Sequence, residues 1–503
     1  MSKWIRIICA VLVLMMLVSV FAACGSSSDG KTETKGNETK ESDQPGDKTD
    51  ETETEEEKDA FDRFLDGYTA NYQNREFTIA VFPDDSSQIW GDVDWLADTM
   101  NGDTINDAVY TRNAMVSENL GIEIIPIPQT EYASITNITT GIAAGNKDYN
   151  ALNITIKNAF TAAQNDYLHE LHDFGTIDLE ETWWDPNVIN DMSIAHKNYI
   201  LTGDIGTMYK KSIAVIMFNK VLLNDIDYQS VGHPYDLMAD KAWTIDTMVE
   251  LGSMVSADVN SDERYDENDK YGLIYFCNMA GSAMIGCGVD YTTKDENDIP
   301  ALSFYSETTV DILEALADLL YDKTTAWSWN ANGKQEDTAF SMFKSDQSLF
   351  YYGELHAVAT MRSMQSEFGI LPMPMFDDMQ KSYHHTINPD VAAVICVPKD
   401  IDENEFTGTV LDALGAASKV VLTPAYYDVN LYTKTTRDEQ SRATLDIVIN
   451  TINYDVGLLA IPDISDMLKS LVNAYSRDLA STWSKQEPVF QGALDQIVES
   501  FEG

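Results

Sequence analysis

The residues of this chain best suited to chemistry are its 9 tryptophans and its carboxylates, drawn from 82 Asp and Glu. An aromatic face stacks on the apolar C–H face of a polyhydroxylated molecule, and carboxylates and amides bond its hydroxyl rim. Three places combine these residue types. Trp90 closes the segment Pro83-Asp84-Asp85-Ser86-Ser87-Gln88-Ile89-Trp90, so Asp84 and Asp85 share its loop. Trp183-Trp184-Asp185 is the second place. Adjacent side chains of an extended segment point opposite ways, so one indole is expected inside the fold and the other toward a ligand. Trp327 and Trp329, two apart, fall on one side of a strand or extended loop. For each of these tryptophans the competing reading is packing in the protein's own core.

A fourth cluster has the spacing of a metal loop. Asp258, Asn260 and Asp262 stand at positions 1, 3 and 5, Arg264 offers a carbonyl at 7, and Asp266 and Asp269 fall at 9 and 12. This resembles the oxygen-ligand pattern of a calcium loop. It departs at position 6, where Glu263 replaces Gly, and at 12, where Asp replaces the longer Glu. An acidic, solvated loop is the competing reading. Beyond a structural Ca²⁺ there, no cofactor is expected. Catalytic groupings are poor, and none is assigned. His169-Glu170-Leu171-His172 lacks the His-Glu-x-x-His order of zinc peptidases, and His384-His385 are adjacent. There is no Gly-x-Ser-x-Gly turn, Walker loop or Gly-x-Gly-x-x-Gly.

The elements that must position these residues follow from periodicity. Phe77 to Phe82 reads as a strand, then residues 104–119 as a helix, Ile122 to Ile127 as a strand, 131–144 as a helix and Asn150 to Ile156 as a strand. That alternation is the signature of a parallel sheet with covering helices. Val215 to Asn219, Phe368 to Pro374 and Val391 to Pro398 are strand-like. Thr244 caps a helix running to Val255, Thr308 to Leu320 is amphipathic, and the last ~90 residues are mainly helical. About 430 folded residues in such units imply two α/β lobes.

Charge and the N-terminus bound the setting. With 33 Lys and Arg against 82 Asp and Glu, the net charge of −49 disfavours nucleic acid and anionic membrane surfaces as partners. Lys3 and Arg6 precede an apolar run from Ile7 to Val20 that ends in Ala22-Ala23-Cys24, the shape of a secretory signal peptide. A cysteine after that small pair resembles a bacterial lipobox, which implies lipidation at Cys24 and removal of residues 1–23. Residues 24–74 read as an acidic tether, since Ser26 to Asp59 has almost no large apolar residue. Cys277, Cys287 and Cys396 then remain; a 277–287 bridge is open, and buried free thiols are favoured.

Four segments together resemble the extracellular solute-binding lipoproteins of carbohydrate ABC importers. They are Met217-Phe218-Asn219-Lys220 followed by Pro234-Tyr235 and Trp243-Thr244, the Asp-rich loop before Tyr271-Gly272, Gly369 to Pro374 with Gln380 and Tyr383, and Thr433 to Gly457. The resemblance implies a two-lobed periplasmic-binding-protein-like (type II) clamp with a hinge cleft. On that reading, residues 75–205 and 375–430 form lobe 1, and 206–374 and 431–503 form lobe 2. It also brings Tyr352, Glu354 and Tyr383 toward the cleft. The expected function is capture of a carbohydrate, an oligosaccharide in particular. A monomer, held at the membrane by lipid alone, delivers it to a permease without chemistry. A secreted glycoside hydrolase or lyase, or a binder of peptide or another solute, is the alternative.

Overall fold

The computed structural model describes residues 58–83, 90–129, 135–399, 401–402, 404–427 and 439–502. Asp84, Asp85 and Cys24 therefore lie outside the described residues. Two sheets organise the chain. The first holds β1 (Arg75–Val81), β2 (Ile122–Pro128), β3 (Ala151–Thr155) and β11 (Ala393–Cys396) in the order β11-β3-β1-β2. β1 pairs parallel with β2 and β3, as the alternation predicts, and β11 returns antiparallel on β3. Phe77, Ile79, Ala80 and Val81 are all buried, as a central strand covered on both faces requires. Pro126 is tolerated because β2 is an edge strand, where a missing N–H breaks no inner ladder.

The second sheet holds β4 (Ala214–Asn219), β5 (Tyr271–Tyr275), β8 (Ala326–Ser328), β9 (Ser348–Glu354) and β10 (Phe368–Leu371), in the order β10-β4-β9-β5-β8. β6 (Thr292–Lys294) and β7 (Pro300–Leu302) form a separate hairpin. The chain passes from the first sheet to the second between Leu201, bridged to Ile395, and β4. It passes back between β10 and β11, where Ile387 bridges Ile213. Helix Leu479–Glu502 packs on helix Ile156–Gln164, which follows β3, and on β7.

The motifs that carry the family resemblance turn out to be structural. Asn219 ends β4 and caps the next helix by accepting from Val221 and Leu222 N–H. Trp243 is wholly buried, its indole donating to the Pro372 carbonyl at 3.0 Å, and Thr244 opens a capping box with Thr247. Gly369 is required by close approach: a Cβ there would stand 2.2 Å from Tyr235 Oη. Cys277, Cys287 and Cys396 are free and buried.

One boundary needs correction. The tether expected over 24–74 ends earlier, because Ala60–Asp66 is a helix with Phe61 in the core. Phe61, Phe64, Tyr68, Tyr72 and Phe406 form a continuous chain of ring contacts, which ties this segment to the first lobe's long helix, Asn404–Pro424. The aromatics spaced three and four apart supply enough apolar area to order a stretch whose polar flanks read as solvated.

Candidate functional site

Open α/β sheets bind ligands in the crevice beyond the carboxyl ends of their strands. In this chain two such ends face one pocket of about 330 Å³. From the first sheet's side come Val93 and Asp103, between β1 and helix Thr104–Leu120, and Ile105 in the first turn of that helix. From the second come Leu355, His356, Ala359 and Thr360, on helix Leu355–Thr360 directly after β9, with Arg362 one turn later. Thr207 and Lys211 of the crossing segment form the floor with Tyr426.

The floor is held by a buried polar network. Asp94 accepts from Thr207 N–H at 2.7 Å, Thr207 Oγ1 at 2.6 Å and Met208 N–H at 2.9 Å. Arg112 lies fully buried on the inward stripe of helix Thr104–Leu120 and donates to the carbonyls of Asp94 and Ile205. Its guanidinium sits over the Trp95 ring, 4.7 Å from the centroid. Burial lowers the Arg112 pKa to about 10, and the fields of Asp94 and Asp92 oppose that shift. Burial, then the neighbouring Asp94, raises Asp92 to about 7. Sequence reasoning missed this network, as an arginine inside a helical pattern reads as a solvent-facing residue.

His356 is a strongly perturbed group in the pocket wall. Its side chain is 7% exposed, and Glu336 Oε1 and Glu354 Oε2 lie 3.4 and 3.6 Å from its two ring nitrogens. Burial alone would lower its pKa, but the pull of these two carboxylates, Glu336 and Glu354, outweighs it and raises the pKa to about 9. The Trp90 ring, from the first-sheet side, meets the His356 ring edge-on at 4.9 Å. Trp90 is half-buried and packs by Val93 next to Phe82, Met208 and Ala393. Of the tryptophans proposed from sequence, Trp90 reaches the pocket rim.

The other proposed residues are placed elsewhere. Trp183 and Trp184 are both buried, and both indole N–H groups donate to Asp412 Oδ1, at 2.9 and 3.0 Å. The segment turns instead of running extended, so the alternation that would expose one indole does not apply. Asp185 caps helix Pro186–Asp191 and accepts from Tyr454 Oη at 2.8 Å. Trp327 is buried in β8, at the far edge of the second sheet, and Trp329 stacks on Phe276 at 4.8 Å. Tyr383 is buried and donates to the Met238 carbonyl. Tyr352 bonds Ser282, and Glu354 accepts from Asn388 at 2.8 Å. These two line a small, partly open cavity of about 30 Å³, room for about one water, beside the two crossing segments.

The Asp-rich loop spends its carboxylates on its own backbone. Asp258 accepts from Ser261 and Glu263 N–H, Asp262 from Arg264 N–H, and Asp269 from Val259 and Asp266 N–H. Asn260 accepts from Asp262 N–H, and Asp266 from Asn268 N–H. Among the described residues no three His, Cys, Asp or Glu side chains gather as a metal site, and no helix is long and apolar enough to cross a membrane.

The architecture is that of the two-lobed solute-binding proteins. A substrate-binding protein from Listeria monocytogenes, solved with cycloalternan, matches over 85% of this chain and 99% of its own, at 15% identity and a TM-score of 0.53. A cyclo/maltodextrin-binding protein solved with maltotetraose matches over 86% and 98%, at 12% identity and a TM-score of 0.54. A Mycobacterium tuberculosis protein solved with glycerophosphocholine matches over 78% and 95%, at 15% identity and a TM-score of 0.55. The chain matches no protein-family model and, at a significant level, no curated protein. The two-lobed α/β clamp expected from the sequence is thus the fold of this chain.

Proposed function

We propose that this chain is the extracytoplasmic substrate-binding component of a carbohydrate ABC importer. On this reading, lipid at Cys24 anchors it, and it captures an oligosaccharide as a monomer and releases it unchanged to a permease. The observation that carries the reading is the pocket itself. It lies between the carboxyl ends of strands in two separate sheets, with an aromatic ring at its rim and few segments crossing behind it. That arrangement closes on a ligand by hinge motion, driven by the ligand's greater affinity for the closed state. The likeness to proteins solved with maltotetraose and cycloalternan supports a sugar as the ligand.

The hydrolase alternative is disfavoured by the pocket's lining. A glycosidase needs two convergent acids. Asp103 is the one carboxylate among the described lining residues, and it caps a helix by accepting from Ile105 and Asn106 N–H.

Thermal unfolding against a panel of mono- and oligosaccharides tests the proposal. A ligand that binds only the folded state stabilises it by about 2.7 kcal/mol at a hundredfold excess over Kd. A saturable rise with one sugar class, the sugar recovered intact, is the expected result. Cleavage of the sugar, or a rise with peptides and none with sugars, overturns it.

A further inference from the structure

We infer that the captured ligand carries a carboxylate received by Lys211, so that the substrate class is an acidic, uronate-bearing oligosaccharide. The inference rests on the sugar-binding reading and deepens it. Two observations on adjoining helices of the pocket, Met208–Lys211 and Leu355–Thr360, carry it.

The first is Lys211. It lines the pocket at the end of the short helix Met208–Lys211. In a chain with 82 acidic against 33 basic residues, no carboxylate among the described residues pairs with it. Its one bonding contact is Met208 Sδ, at 3.5 Å. The nearby acids Asp94 and Asp92 act on it through their field without pairing with it. Asp94 serves Thr207 and Met208, Asp92 Oδ1 accepts from Trp95 and Leu96 N–H, and Asp103 caps its helix. Burial lowers the Lys211 pKa, as expected of an ammonium with little compensation.

The second is His356. It is 9% exposed, and neither ring nitrogen has a hydrogen-bond partner. Glu336 Oε1 and Glu354 Oε2 form ion pairs with it at 3.4 and 3.6 Å without meeting hydrogen-bond geometry, and they keep the ring cationic. Arg362 adds a third basic group to the lining, where Asp103 is the one acid among the described residues. Lys211 is then the buried cation without an anionic partner, which is costly, and a ligand carboxylate satisfies it with charge-assisted bonds of a strength that a neutral hydroxyl does not match. The net charge of −49 does not prevent capture, because exposed charges are screened beyond about 8 Å at physiological salt. Trp90 beside His356 then offers a ring edge and face to the sugar's C–H surface.

The test is calorimetric titration of the full folded chain with uronate-containing di- and trisaccharides, each paired with its carboxyl-reduced neutral form. The acidic member of a pair is expected to bind at least about tenfold more tightly. Lys211→Met is expected to remove that preference, weakening the acidic sugar about tenfold to a hundredfold while the neutral form changes little. Lys211→Arg should restore the preference, and unchanged melting of both variants shows that the fold is intact. Neutral sugars that bind as tightly as their acidic partners overturn the inference and leave the sugar-binding reading standing. So does a Lys211→Met variant that weakens both forms equally. No binding by any sugar of either kind overturns both readings. A sugar phosphate that binds where uronates do not overturns the carboxylate assignment alone.

Discussion

Asp412→Ala is expected to destabilise the folded chain by about 2–6 kcal/mol, since two buried indole N–H groups each lose their acceptor at about 1–3 kcal/mol. Trp183 and Trp184 converge on the single oxygen Asp412 Oδ1 from below helix Asn404–Pro424. Among the described residues Asp412 is the acceptor of both indoles, and Gly415 is needed to admit Trp183, whose Cδ1 would lie 2.4 Å from a Cβ there. Asp412→Asn keeps an acceptor oxygen and should cost less. The two variants also separate the pH dependence. Burial raises Asp412 to about 7, so the folded state binds more protons than the unfolded state between the carboxylate's ordinary value and that pKa. The stability this group contributes is fully present below the ordinary value and is lost as pH rises through about 7. Asp92, raised to about 7, and Asp455, raised to about 6, act in the same direction. His385, lowered to about 3 by burial, opposes them over the acid part of the range. Urea midpoints should therefore fall from about pH 5 to about pH 8 in the wild type, and the fall should be smaller in Asp412→Asn. A rise across that range, or equal slopes in the two proteins, contradicts the assignment.

Asp94→Ala should cost about 3–5 kcal/mol, because it strips three donors of a buried acceptor and leaves Arg112 with less compensating charge. Its consequence for function is separable from stability. Thr207, fixed by both Asp94 oxygens, belongs to the pocket floor, and Gly206 passes within 3.0 Å of Asp94 at its Cβ position. Loss of the clamp frees the crossing segment on which the two lobes hinge. Ligand affinity is therefore expected to fall under conditions where the variant remains folded, as judged by circular dichroism. Unchanged affinity in the folded variant would show that the floor is held by other contacts.

Much of the first lobe was legible because its elements alternate simply. β1, helix Thr104–Leu120 and β3 were placed to within two residues by apolar periodicity and by turn residues. The antiparallel return of β11 was not legible, since it depends on a pairing between residues more than two hundred apart. The pocket was legible only in outline. Trp90 was found because it follows the first strand, where the crevice rule puts ligands. Trp183 and Trp184 were misread because their acceptor, Asp412, is far away in sequence. His356 and Lys211 gave no signal: a single histidine on a short helix and a lysine beside another lysine acquire meaning only when β4 and β9 pair and bring their flanking helices together. The family motifs told of the fold and not of the site, for Asn219, Trp243, Thr244 and Gly369 hold the second lobe together.

The central claim is that the space between the two sheets is where the ligand goes. Ala359 is exposed on the pocket wall, so Ala359→Trp fills the space without displacing the core. Calorimetric titration of wild type and Ala359→Trp with the stabilising sugar tests the claim most directly. The account expects one site per chain in the wild type and no measurable heat in a variant that melts like it. Equal affinity in the two proteins would place the ligand elsewhere and contradict the account.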